Sequence, residues 1–159
     1  SMAPADSTIG LLSGTAGFNA AFTIPPFQDM QLHDPAVHTV VNSKDLLGES
    51  TAAYGWALRR FHDANPTVFK AVVAAMKEAS DFIMANKREA AEYFVADSRA
   101  KVDLEEVVGI LSDPRNGYSV TPLASKTWAN FMYRVGRTKV DAKSWKDLFF
   151  EDLHDLDGS

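Results

Sequence analysis

Residues 18–28 read Phe18-Asn19-Ala20-Ala21-Phe22-Thr23-Ile24-Pro25-Pro26-Phe27-Gln28, an apolar and aromatic run stopped by two prolines. Proline has no N–H to give a sheet ladder, so a strand of this kind must end where the prolines begin. The spacing predicts a short buried strand over 18–24 that delivers its C-terminal end to a rigid turn. Two further segments extend that reading. Residues 37–42, between Pro35 and the turn-formers Asn42, Ser43 and Asp45, are expected as a second strand. Residues 51–58 make a weaker third, in which Ala and Gly lower the β-propensity while Tyr54 and Trp56 share a face at a period of two.

Helix signals surround these segments. Pro4 at the start and Gly14 past the end punctuate a short helix over 4–13, with Ile9, Leu11 and Leu12 on its expected buried side. Asn65 and Pro66 open a long helix to about Ala85, along which Val68, Val72, Ala75, Ala79 and Ile83 recur at helical spacing. Further helices are expected over 87–96, over 103–111 with an acidic first turn, and from Thr121–Pro122 to Val135, before Gly136. Ser144–Trp145 opens a last short turn. Strands separated by helices in the first part suggest a piece of an α/β sheet. Three short strands are a thin sheet for so many apolar helical faces, so part of the sheet is expected to be missing.

Composition narrows the classes. The 159 residues are 46% hydrophobic and 23% charged, which excludes general disorder and low-complexity fibres. A net charge of −5 argues against a nucleic-acid footprint and against a polybasic membrane-surface binder. No apolar run is long enough to span a bilayer, and no charged segment followed by an apolar one reads as a signal peptide. Zero cysteines exclude disulfides, thiolate chemistry and Cys-ligated metal centres.

Motif by motif, little chemistry is visible. His33, His38, His62 and His154 lack the tight spacing of a zinc site, so no metal is expected. Ser13 sits in L-S-G-T, which is not a nucleophile elbow, and no catalytic residue is assigned. Gly10, Gly14 and Gly17 follow no strand and precede no G-K-[ST], so they are capping and turn glycines rather than a phosphate cradle. The acidic run 151–158 lacks the closing Glu of a calcium loop. Trp128, Phe131, Tyr133, Trp145, Phe149 and Phe150 crowd the C-terminal part, and Trp128 and Phe131 fit one helical face as core. The strongest functional element is the end of the first strand. In open α/β sheets ligands sit beyond the carboxyl ends of strands, and a double proline there fixes a wall beside hydroxyl and amide groups. The alternative is a plain β-to-α turn with Phe27 in the core.

The runs LLSGTAGFNAAFTIPPFQ, VHTVVNSKDLLG, FHDANPTVFKAVVAAMKEA, NFMYRVGRTK and SWKDLFFEDLHDLDGS, in that order, resemble periplasmic substrate-binding proteins of the nitrate/sulfonate/taurine (thiamine-precursor-synthesis-like) class. The resemblance covers about residues 4–159. It implies an α/β, type II periplasmic-binding-protein-like fold, present in part, in which two lobes close over a small-molecule solute. Residues 1–36 would end the second lobe, and residues 37–159 would cross back and complete the first. A signal peptide and most of the first lobe would precede residue 1.

The function implied is the solute-binding component of an ABC-type importer, non-enzymatic, periplasmic and without cofactor, that hands its cargo to a membrane permease and its ATPase. Carried onto this chain, the ligand-binding candidates are Thr23, Pro25, Pro26 and Phe27 at the strand end, and Thr51 and Tyr54 on the returning strand. No arginine falls among them, so recognition of an anion is not supported. Exposed apolar faces would favour homo-oligomers. Three alternatives stand beside this reading. A pyrimidine-precursor synthase of the same fold would need a Cys-rich segment and a His–Lys pair, which this chain lacks. A regulator's effector lobe would come with a helix-turn-helix module, also absent. The last is a ligand-incompetent, self-associating fragment.

Overall fold

A computed structural model describes residues 2–98 and 102–159. Eight α-helices succeed one another along the chain: α1 (Pro4–Ser13), α2 (Phe27–Leu32), α3 (Ser43–Leu47), α4 (Arg59–Ala64), α5 (Pro66–Ala85), α6 (Lys87–Asp97), α7 (Leu104–Ser112) and α8 (Ser125–Arg134). Two 3₁₀ turns, Trp145–Leu148 and Glu151–Leu153, follow. The described residues contain no strand, which corrects the expectation of an α/β, type II periplasmic-binding-protein-like fold.

The reason lies in the ladders. A strand is stable only when its backbone groups find a partner strand. Residues 18–24 find none, and Phe22, expected inside, is 92% exposed. Around 37–42, the Val37 N–H turns back onto Asp34 O at 2.9 Å instead of pairing outward. The third segment comes nearest to a sheet: Thr51 N–H donates to Leu123 O at 3.0 Å. The return bond from Leu123 N–H, at 2.8 Å, ends on the Thr51 hydroxyl rather than its carbonyl, so the ladder stops after one rung.

The helix signals fared better. Pro4, Pro66, Asp103 and the glycines after α1 and α8 set boundaries within a few residues of those the sequence suggests. Gly14 closes α1 in the left-handed region, φ 64°, with its N–H on Leu11 O. The short helices α2, α3 and α4 were not anticipated.

The described residues form two compact units. The first gathers the chain up to Asn42 with Ala91–Asn116. In it α1 packs on α2, but not through Ile9 and Leu12, which are exposed. The covered face is Ser7, Thr8 and Gly10. Small residues let the helices approach, and the polar atoms are satisfied in series: Gln31 Nε2 donates to Thr8 Oγ1 at 2.9 Å, and that hydroxyl donates to Pro4 O at 2.9 Å. Ala91, Val107 and Leu111 supply its apolar core, and Asp103 caps α7 by accepting from the Glu105 and Glu106 amides.

The second unit gathers Ser43–Ala90 with Gly117–Ser159. Here α4 packs on α5, and α8 on the turn at Trp145–Leu148. Helix α8 begins three residues later than Pro122 because the chain before it is tied elsewhere. Pro122 O accepts from Ser159 N–H at 2.9 Å, Leu123 is held by Thr51, and Ala124 turns left-handed at φ 54°. None of the twenty residues of α5 is fully buried.

Candidate functional site

The sequence-nominated residues fall into both units. In the first, Pro26 precedes the opening turn of α2, with Ile24 O accepting from Gln28 N–H at 3.2 Å and Pro26 O from Met30 N–H at 3.0 Å. Those bonds make the rigid turn that the double proline implied. Thr23, Pro25, Pro26 and Phe27 are all half-buried along it. Thr23 Oγ1 is buried and makes no hydrogen bond. Six residues on, Asp29 Oδ2 is in the same condition. Burial is the largest influence on Asp29 and raises its carboxyl above the usual carboxylate range, ahead of the backbone N–H and the Arg115 charge that pull it down. A third orphan, Glu106 Oε1 on α7, lies 3.9 Å from His33 Nε2.

An unpaired buried polar atom costs about 1–3 kcal/mol, so such atoms are normally few and matched. Two on one seven-residue segment, one able to donate and one inclined to keep its proton, form a half-built hydrogen-bonding site. Asp29 was missed in the sequence although it stands directly after Gln28, where the quoted stretch ends. Only its burial distinguishes it from an ordinary acidic first-turn residue.

In the second unit the structure brings Thr51 and Tyr54 onto one stretch, but both are already engaged. The Thr51 hydroxyl is spent on Leu123 N–H, and the Tyr54 hydroxyl lies 3.2 Å from Ser125 Oγ. What remains open is aromatic. The Tyr54 ring sits 6.1 Å from Trp56 and 6.0 Å from Phe149, and the Trp56 indole is 89% exposed. Such a surface can stack a flat group but offers no polar recognition of its own.

The same unit holds a cluster that the histidine spacing did not reveal. His62 Nε2 lies 2.7 Å from Asp152 Oδ2 and Nδ1 lies 2.8 Å from Asp63 Oδ1, while the ring stacks on Phe150 at 4.1 Å and meets Phe69 edge-on. Two carboxylate partners require both ring nitrogens to donate, so the imidazolium is favoured. Its pKa is accordingly raised, chiefly by Asp152 and then by Asp63, and that of Asp152 is lowered by His62. With both nitrogens committed, His62 ties Asp152 to α4 and is not poised as a base.

No group of three or more His, Cys, Asp or Glu side chains among the described residues could hold a metal ion, and no described helix is long and apolar enough to cross a membrane. A shallow depression lined by Tyr93, Phe94, Asp97 and Ser98 belongs to one helix end and includes none of the nominated residues. Comparison with family models, with curated proteins and with solved structures finds no match.

Proposed function

We propose that this chain captures a small polar solute for an importer, without chemistry, and passes it to a membrane permease driven by an ATPase. The chain-wide sequence resemblance motivates the class, and with it a periplasmic place of action. The observation that carries the reading is Thr23. The one hydroxyl nominated at the Pro25–Pro26 turn is buried with no partner. A ligand acceptor placed against Thr23 Oγ1 would supply the missing bond, and the raised pKa of Asp29 supports a second, neutral donor nearby in sequence. That pair suits a neutral or weakly acidic molecule with oxygen acceptors better than a metal ion.

The test is thermal unfolding against nitrate, taurine, other sulfonates, pyrimidines and aromatic acids. A ligand at about a hundred times its Kd stabilises by about 2.7 kcal/mol. For a chain of this size that is a rise in Tm of about 5–11 °C. Thr23→Val keeps the shape and removes the hydroxyl, so it should abolish the shift while leaving the ligand-free Tm equal or higher. A panel that moves Tm nowhere, or a shift that survives Thr23→Val, refutes the reading.

A further inference from the structure

The stripe of apolar residues that the periodicity marks on α5 is the side that the fold leaves bare. Val68 and Val72 are each 49% exposed and Met76 is 50% exposed, while Ala75 and Ala79 complete the stripe, also exposed. At 100° per residue these five positions fall within a narrow sector. Lys70, Lys77 and Asp81 lie on the opposite side, where Lys77 and Asp81 pair at 2.6 Å. Phe69, which meets Phe150, and Val73 point to a different sector and are half-buried. The helix therefore spends one apolar face inside its unit and keeps a second in water. A helix of this length offers a strip about 30 Å long.

From these observations we infer that the bare face of α5 is a dimer interface, occupied by the same face of a second copy in an antiparallel, two-fold arrangement. Area supports that occupant. The described residues expose 11634 Å². A compact protein of this mass exposes about 7,900 Å². The surplus, roughly 3,700 Å², exceeds the ~800 Å² that each partner gives to a standard stable interface. The stripe carries no charge, so two copies meet without repulsion. Its shape favours the antiparallel sense: a two-fold centred between Ala75 and Met76 sets Val72 level with Ala79 of the second copy. Large then faces small along the seam, and the two helix dipoles oppose. Exposed Leu58 and Phe61, beside α4, lie in the same unit and extend the apolar surface. This inference does not depend on the proposed solute function.

Because the chain has no cysteine, single introduced thiols report cleanly. Sedimentation at micromolar concentrations should give a species of twice the 17.4 kDa chain mass. Ala75→Cys should cross-link two copies on mild oxidation, whereas Lys77→Cys, on the opposite side, should not. Val72→Glu places an unpaired charge in the seam and should weaken association on the order of a hundredfold, with circular dichroism unchanged because the site is at the surface. A monomer throughout the concentration range overturns the inference. So does a dimer that Val72→Glu leaves intact, or one that cross-links through residue 77 and not 75.

Discussion

Gly10 and Gly109 are both interior helix glycines in the first unit, yet their replacement by alanine should act in opposite directions. Glycine costs about 1 kcal/mol relative to alanine inside a helix, so propensity alone favours both substitutions. At Gly109 nothing lies within 4 Å of an added Cβ, and Gly109→Ala should stabilise by about that amount. At Gly10 the new methyl would stand 2.8 Å from Ala16 Cβ and 2.9 Å from Phe18 Cζ. Ala16 has no rotamer to retreat into, so the backbone must move. Overpacking of this kind costs about 1–3 kcal/mol, which offsets the propensity gain and leaves a net loss of up to about 2 kcal/mol. The assay is urea unfolding followed by far-ultraviolet circular dichroism. With a slope near 2 kcal/mol/M, each kcal/mol moves the midpoint by about 0.5 M. Midpoints that shift the same way for both variants would refute the reasoning, since the Phe18 contact would then contribute nothing. The comparison reaches the candidate site, because Phe18 on Gly10 anchors the chain that leads to Thr23 and the proline turn.

Two other predictions concern single contacts. The His62 clamp should hold Asp152 at mildly acidic and neutral pH: a raised histidine pKa gives stability fully present below the unfolded value near 6.5 and lost as pH rises through the folded one. The lowered Asp152 pKa limits the other side, its contribution fading as pH falls below the usual carboxylate range. Proton NMR titration of His62 should show the raised pKa, and Asp152→Asn should bring it down; a midpoint at or below 6.5 in the parent chain would sink the idea. Separately, Asp103→Ala removes the cap of α7 and should cost about 1 kcal/mol, read as a lower urea midpoint, with no change there counting against the cap.

Helix punctuation was legible because it is local. Pro4 with Gly14, Asn65 with Pro66, and Asp103 each act within one turn, and the helices stand where those residues put them. Strand character was not legible in the same way. Phe18, Phe22 and Val40 have the right side chains for a sheet, but a ladder needs a second chain segment in register, and none of the described residues provides one. Facing was harder still. Ile9 and Leu12 looked like the inner side of α1, yet the Gln31–Thr8 hydrogen bond turns the small polar face inward. At the candidate site, residue type nominated Thr23 and Tyr54 equally. Only coordinates separate a hydroxyl with no partner from one already bonded to Ser125.

The start of α8 shows how far such dependence can reach. Ala124 has no side chain to cap it, and the Ser125 and Lys126 amides are met instead by Ser159 O, with the Ser159 hydroxyl taking the Ala124 N–H from 35 residues away. A local cap forms as soon as its turn does, whereas this one waits on closure of a loop, a slower step that carries its own entropy. Every helix of the second unit can be wound while α8 still has a frayed first turn. The final hydrogen bonds of that unit are thus a report on whether the whole tail, from Trp145 onward, has found its place.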